Sequence, residues 1–400
     1  MKFPKLQRKP ELDALRGVFL VWMTLTHLPT HFSDWVNQPF GFVSSAEGFV
    51  FLSALLVARL YIRQAAEDEA GLRIKLWRRS LKIYGYHLLM LALAFTIAAG
   101  LAVATHRTAL YNLLNFYIAH PLVAILGSVL LIYCPPLLDI LPLYVIFLAA
   151  TPLVLSAAVR WGWNRIIAVS LTIWLLAQFG LRDLVHTAVV HITHLPIPLQ
   201  ETGAFNLFSW QWIWLAGLWL GAKSAEGPLP LSRVPRRILA LSAAVCLFFI
   251  AVRHEWLDWV PWIGTHLTQQ GLGMQLDKWS IGPLRLLNLA CFAIVIYWLR
   301  KPVLKIVAIE PFLTLGKASL EVFCAHVFFV FFGLALLYGE VTQLHGRVAV
   351  ALLVFTFAGL ILIALREVRR RRDEKQRASQ EAASIEQSTH IPPNVSQFAE

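Results

Sequence analysis

Long apolar runs separated by short polar or basic segments dominate the chain from residue 14 to residue 365. Ten of these runs hold enough apolar residues, or nearly enough, to cross the hydrocarbon core of a bilayer as a helix, which takes about 20 residues. They occupy about residues 14 to 32, 40 to 58, 83 to 104, 141 to 159, 166 to 181, 205 to 222, 238 to 252, 283 to 299, 312 to 338 and 348 to 365. The pattern predicts an all-α, polytopic transmembrane helical bundle of about ten spans.

One further apolar stretch, about residues 109 to 138, is broken by Pro121, Pro135 and Pro136. An extra crossing there would reverse every later loop, so we expect a re-entrant or surface hairpin, which is tolerated where protein buries the broken backbone. We expect one transmembrane domain over residues 1 to 366. Residues 367 to 400 mix basic and acidic residues with Gln and Ser, which predicts a charged cytoplasmic tail with a short helical end followed by disorder.

The composition excludes a soluble enzyme, because 58% of the residues are hydrophobic and only 14% are charged, against about 25% charged in a soluble domain. In a membrane protein the formal net charge of +12 reports orientation rather than nucleic-acid binding. With ten spans and the N-terminus inside, 27 of the 35 Lys and Arg residues fall in cytoplasmic segments and five in external loops. We therefore expect both termini to be cytoplasmic.

Ionisable residues within a span are costly to insert, so each is a functional candidate. Arg16 and His27 lie eleven residues apart in the first span, which places them on one helix face with a rise of about 16 Å between them. Arg16 would lie near the cytoplasmic surface and His27 in the outer half. A snorkelling charge at the interface is the alternative for Arg16.

Glu47 in the second span lies within about one helical turn of the depth of His27. In a dyad, Glu47 would orient the imidazole and stabilise its protonated form, while His27 removes a proton from an attacking hydroxyl. The alternative is a buried structural pair.

Lys317 and Glu321 are four residues apart in the ninth span, which places them on one helix face. With Arg16, Lys317 could form a cationic mouth for phosphates, and Glu321 would lie near the middle of the span. A structural salt bridge between Lys317 and Glu321 explains the spacing equally well. Arg285 in the eighth span lies toward the outer face, where it could meet a carbohydrate or an acyl carboxylate.

The sequence gives no motif for a metal, for nucleotide hydrolysis or for nucleic-acid binding. His186, His191 and His194 form a cluster, but no carboxylate stands at ligand spacing. The four cysteines are far apart and suggest neither a disulfide framework nor a zinc motif. We expect no metal and no resident cofactor.

Short motifs occur in order along most of the membrane domain. They are Arg16 and His27 with ten residues between them, residues 46 to 53, 139 to 144, 205 to 211, 282 to 287 and 315 to 323. The first resembles the opening signature of the acyltransferase-3 superfamily of integral-membrane acyltransferases, and the ordered set resembles the OpgC family. The chain differs from the family at Thr26, where Asp often precedes the histidine, and at Ala54, where Gly is usual.

The resemblance implies a bacterial inner-membrane O-acyltransferase of about ten spans. The named activity of the family is succinylation of osmoregulated periplasmic glucans, with a cytoplasmic acyl-coenzyme A as the implied donor. By the resemblance His27 is the catalytic base and Arg16 contacts coenzyme A, and Glu47, Arg285 and Glu321 stand at family motif positions. Because Thr26 has no carboxylate, Glu47 becomes the stronger candidate for the acid beside His27.

We therefore expect a membrane O-acyltransferase that moves an acyl group from succinyl- or acetyl-coenzyme A to a hydroxyl of a periplasmic glucan or another extracytoplasmic glycan. Its partners would be the acyl donor, the glycan acceptor and the lipid bilayer. A succinyl carboxylate could be held by Arg285, by Lys317 or by neither. The alternative is a transporter or flippase for a glycan or lipid, and a third hypothesis is an inactive anchor or assembly partner.

Overall fold

The computed structural model describes residues 9–227, 229, 234–257, 259, 260, 272–339 and 341–389, the last eight of them without their side chains. Regular structure in these residues is helical, apart from one isolated bridge between Thr30 and Leu344. The helices that build and position the site are α1 Pro10–His27, α2 Ser45–Glu67, α3 Glu69–Thr105, α4 Ile140–Trp161, α5 Trp163–Gln178, α6 Leu181–Thr193, α7 Leu207–Glu226, α8 Arg236–Arg253, α9 Pro283–Trp298, α10 Phe312–Lys317, α11 Ser319–Leu336 and α12 Gly346–Thr389.

The ends of α1 follow from its two prolines. Pro10 is the first helical residue, a position where the missing N–H costs nothing. At the other end Pro29 disfavours the helical conformation of Leu28, which is extended. His27 is therefore the last residue of the helix.

Helices lie in all ten predicted segments, the described part of the chain is all-helical apart from the one bridge, and its long apolar helices indicate a membrane protein. By length and composition, five helices in the described part of the chain are able to cross a membrane: α2, α3, α4, α11 and residues Gly346–Glu381 of α12. A sixth span results if α5 and α6, which are bent by 82° at the break between them, are counted as one. The number of helices that qualify is therefore five or six.

The apolar stretch with the three prolines folds into short helices, Thr108–Leu113, Asn115–Ala119 and Pro121–Val129. Each is shorter than a membrane span. The stretch packs against α3, where the ring of Phe95 stacks on that of Tyr117 with centroids 4.0 Å apart. Its depth in the membrane stays a prediction.

The predicted domain boundary at residue 366 falls inside α12, which runs without a break to Thr389. Just past that boundary, Arg371 forms ion pairs with Glu367 and with Glu321 of α11. The tail therefore begins as a packed part of the bundle, and its helical part is longer than the sequence predicts. Residues 390 to 400, where disorder is also expected, lie outside the described residues.

Candidate active site

Two histidines from distant parts of the chain meet inside the bundle. His27 ends α1, and His326 lies in α11 with 1% of its surface exposed. Nδ1 of His27 is 3.3 Å from Nε2 of His326, and the rings stack with centroids 5.6 Å apart. The two residues are 299 positions apart in the chain, so no local spacing in the sequence pairs them.

The hydrogen bonds of this pair fix which ring nitrogens carry protons in the neutral form. A backbone carbonyl only accepts, so Nδ1–H of His326 donates to the carbonyl of Phe323. Nε2 of His326 then accepts the Nδ1–H of His27. Nε2 of His27 keeps its lone pair, which is the form that a general base needs.

Glu47 is engaged elsewhere and does not form the expected dyad with His27. Its carboxylate accepts a hydrogen bond from Nε of Arg285 at 2.7 Å, and Nη2 of the same guanidinium lies 2.6 Å away. The other oxygen accepts the backbone N–H of Ser44 at 2.9 Å and also its hydroxyl. Ser44 and Glu47 thus form a capping box at the start of α2.

The partnership with Glu47 also changes the expected role of Arg285. The two side chains are 1% and 2% exposed, so each neutralises the other out of contact with solvent. The neighbouring Asn288 accepts the backbone N–H of Phe42 at 2.8 Å, which fixes the start of α9 against the segment before α2. The geometry supports the structural alternative for Glu47 and leaves Arg285 without free charge for a substrate carboxylate.

Several motif segments converge at the same end of the bundle. The carbonyl of Trp279 accepts the backbone N–H of Asn206 and the indole N–H of Trp210, both at 3.0 Å. Asp139, just before α4, accepts the backbone N–H of Ala204 at 3.0 Å. Burial raises the pKa of Asp139 to about 6, against the opposing effect of that hydrogen bond.

A cavity of about 470 Å³ opens at the other end of the bundle. Seven cationic side chains line it, and Asp13 is the one carboxylate among its described lining residues. The cations are Lys9, Arg16, Arg59, Arg79, Lys82, Lys317 and Arg371. Such a surplus of positive charge in a concave site favours a ligand with several negative charges.

Arg16 and Lys317 line this cavity together because two glycines bring their helices into contact. A Cβ atom on Gly17 would lie 2.1 Å from the carbonyl oxygen of Phe312, and one on Gly316 would lie 1.7 Å from that of Asp13. Both distances are far below van der Waals contact, so any side chain at either position would push α1 and α10 apart.

The alternative of a salt bridge between Lys317 and Glu321 is wrong. The helix is interrupted at Ala318, which separates α10 from α11 and abolishes the spacing of one helical turn. Nζ of Lys317 instead lies 3.9 Å from Oε1 of Glu310. Oε1 of Glu321 lies 2.7 Å from Nη2 of Arg371 and 3.6 Å from Nζ of Lys82.

Two phenylalanines connect the cavity to the histidine pair. Phe49 and Phe323 both line the cavity, and their rings stack with centroids 6.4 Å apart. The guanidinium of Arg16 lies 5.8 Å from the centroid of Phe49. Phe323 in turn packs against His326 with ring centroids 4.8 Å apart. A chain of aromatic contacts thus connects the positive cavity with the histidine pair.

A family model described as "OpgC protein" matches residues 8–372. The chain belongs to the OpgC family. Membership in the OpgC family suggests an acyltransferase that modifies glucans. No curated protein and no solved structure matches the chain.

Sequence reasoning missed His326 and several cavity cations, and it favoured a catalytic role over a structural role for Glu47. His326 was recognisable as an ionisable residue within a span. The structural role of Glu47 was signalled by Ser44 three residues before it, the spacing of a capping box. The cavity cations Arg59, Lys82 and Arg371 stand in segments whose charges also determine topology, so no local signal marks them.

Proposed function

We propose that this member of the OpgC family transfers a succinyl group from cytoplasmic succinyl-coenzyme A to a hydroxyl of a periplasmic glucan. The observation that carries the proposal is the continuity from the seven-cation cavity, through Phe49 and Phe323, to the pair of His326 and His27. The cavity suits the phosphates of coenzyme A, and the histidine pair suits proton transfer at the thioester.

The roles of the residues follow from their positions. Arg16 and Lys317 would bind the donor phosphates together with the other cavity cations. His27 lies about 16 Å from Arg16 along α1, a distance that the extended pantetheine arm of coenzyme A can cover. Glu321 would hold Arg371 and Lys82 in place at the cavity wall, because it contacts both. Glu47 and Arg285 would fix the outer ends of α2 and α9 rather than react.

In the transfer step the acceptor hydroxyl gives its proton to Nε2 of His27 while its oxygen attacks the thioester carbonyl. The carbon–sulfur bond breaks as the new ester bond forms, and His27 returns the proton to the departing thiolate. Thioester and alcohol thereby become ester and free thiol with no net proton released. His326 acts as a positioning residue, since its Nε2 holds the Nδ1–H of His27.

In this proposal the chain crosses the bacterial inner membrane ten times, with both termini in the cytoplasm. It also belongs to the acyltransferase-3 superfamily. Two features support this orientation. The cavity end carries the basic start of the tail, including Arg371, and most Lys and Arg residues are expected on the cytoplasmic side. The end with Trp279 and Asp139 would then face the glucan, for which an aromatic ring and a carboxylate are suitable contacts.

The experiment uses sealed vesicles that contain the purified protein in one orientation. Succinyl-coenzyme A is supplied on the cavity side and a linear β-glucan on the other, and the glucan is analysed by mass spectrometry. The proposal predicts succinylated glucan with this arrangement and none with the two substrates exchanged. Glucan that crosses the membrane without gaining mass would instead support the transporter.

A further inference from the structure

Lys278 is a half-buried cation near the outer end of the bundle, away from the cationic cavity. Its segment is fixed there, because Nη1 of Arg285 donates to the carbonyl of the nearby Leu276 at 3.4 Å. Glu47, at the start of α2, is close enough to Lys278 for the two charges to interact. Arg59 of the cavity lies twelve residues further along α2, a rise of about 18 Å.

Among the described residues, the ammonium group of Lys278 contacts an aromatic ring, and no carboxylate forms an ion pair with it. Its Nζ lies 4.7 Å from the centroid of the Trp279 ring. Of the two acids in electrostatic range, Glu47 is paired with Arg285, and Asp139 accepts the backbone N–H of Ala204. Burial also lowers the pKa of Lys278, so an anion beside it would relieve an unfavourable charge.

His27 is also within electrostatic range of Lys278. A donor that enters from the cavity brings its thioester to His27 with the coenzyme behind it. The remainder of the acyl chain must then point away from the cavity, toward the end where Lys278 lies. The other two cations considered for this role do not fit, because Arg285 is neutralised by Glu47 and Lys317 lies on the cavity side.

We propose that Lys278 binds a carboxylate at the far end of the acyl group, so that the enzyme selects acyl groups derived from dicarboxylic acids. The inference rests on the proposed function and adds the residue that determines which acyl group is accepted. The cation–π contact with Trp279 holds the ammonium group in place while leaving its hydrogens available to a carboxylate.

The test compares two donors with the same number of acyl carbons, succinyl-coenzyme A and butyryl-coenzyme A, in release of coenzyme A by the purified protein. Without glucan, water takes the place of the acceptor hydroxyl, and the thioester is hydrolysed to the free acid and coenzyme A. Loss of a hydrogen bond between charged groups in Lys278→Met lowers the ratio of kcat/KM for succinyl over butyryl about 10- to 100-fold. Lys278→Arg keeps most of the ratio, because the positive charge remains.

Two control variants separate the causes. Arg253→Met removes an external cation whose contact is the carbonyl of Asn37, and both donors react as in the wild type. Lys317→Met weakens binding of both donors together, so the ratio stays constant while both KM values rise. Thermal unfolding of each variant establishes that it is folded.

Three results would overturn the inference. An unchanged ratio of kcat/KM for the two donors in Lys278→Met means that Lys278 does not bind the acyl group. A change that appears only when glucan is added means that the cation serves an anionic group of the acceptor. Absence of release from either donor by the wild type, both without and with glucan, refutes the proposed function and this inference with it, whereas release with an unchanged ratio refutes the inference alone.

Discussion

Removal of the Glu47 carboxylate distinguishes its structural role from the catalytic role that the sequence favours. In Glu47→Ala the Arg285 guanidinium stays 2% exposed with no counter-charge, and breaking a buried pair in this way costs about 3–5 kcal/mol. Loss of the capping box adds about 1 kcal/mol. Together these terms are comparable to the lower end of the stability of a typical domain, about 5–15 kcal/mol. We expect a large fall in Tm and a poor yield of folded protein.

The companion variants show where the cost arises. Glu47→Gln keeps a side chain able to cap α2 but loses the charge, so its Tm lies between those of the wild type and Glu47→Ala. Glu47→Ala with Arg285→Met removes both charges and regains part of the lost stability, since no uncompensated charge remains. Thermal unfolding in detergent of the wild type, Glu47→Ala, Arg285→Met and the variant with both substitutions, with monodispersity by gel filtration, completes a double-mutant cycle.

One result would refute this reasoning. If Glu47→Ala unfolds at the wild-type temperature but no longer releases coenzyme A, then Glu47 takes part in the reaction and the dyad predicted from the sequence is correct.

Three further predictions concern other parts of the site. His326→Asn lowers kcat about 100-fold with little change in KM, because the His27 ring loses its orientation; equal effects on both constants would contradict a positioning role. Asp139→Asn mimics the protonated acid that the fold favours, so its gain in Tm over the wild type grows between about pH 4 and pH 6 and corresponds to about 3 kcal/mol above pH 7; a gain that is independent of pH would count against it. Arg371→Ala raises the KM for coenzyme A donors about 10-fold by loss of one charged hydrogen bond. An unchanged KM would mean that Arg371 does not contact the donor.

The helices were predictable because apolar runs of sufficient length leave the backbone few alternatives in a membrane. Even so, the interruption at Ala318 is invisible in the sequence, since no Pro or Gly stands there. It separates α10 from α11 and thereby directs Lys317 and Glu321 to different partners. A rule based on spacing fails wherever the helix that it assumes is broken.

The candidate site was predictable only where its residues share a local element. Arg16 and His27 stand on one helix, and their relation follows from helical geometry. The contact of His27 with His326 spans 299 positions of the chain, and packing of several helices determines it. Glu47 was a plausible partner for His27 because the two residues lie at similar depths in their predicted spans. In the structure, the capping box with Ser44 and the ion pair with Arg285 occupy its carboxylate instead.

The central claim is that His27 is the base of an acyl transfer, and the most direct test is single-turnover release of coenzyme A by the purified protein in the presence of a linear β-glucan. Wild type and His27→Ala are compared with succinyl-coenzyme A, with donor binding to each protein measured separately by calorimetry. We predict that His27→Ala binds the donor as tightly as the wild type and releases coenzyme A about 100- to 10,000-fold more slowly. Release at the wild-type rate by a folded His27→Ala protein would contradict the account.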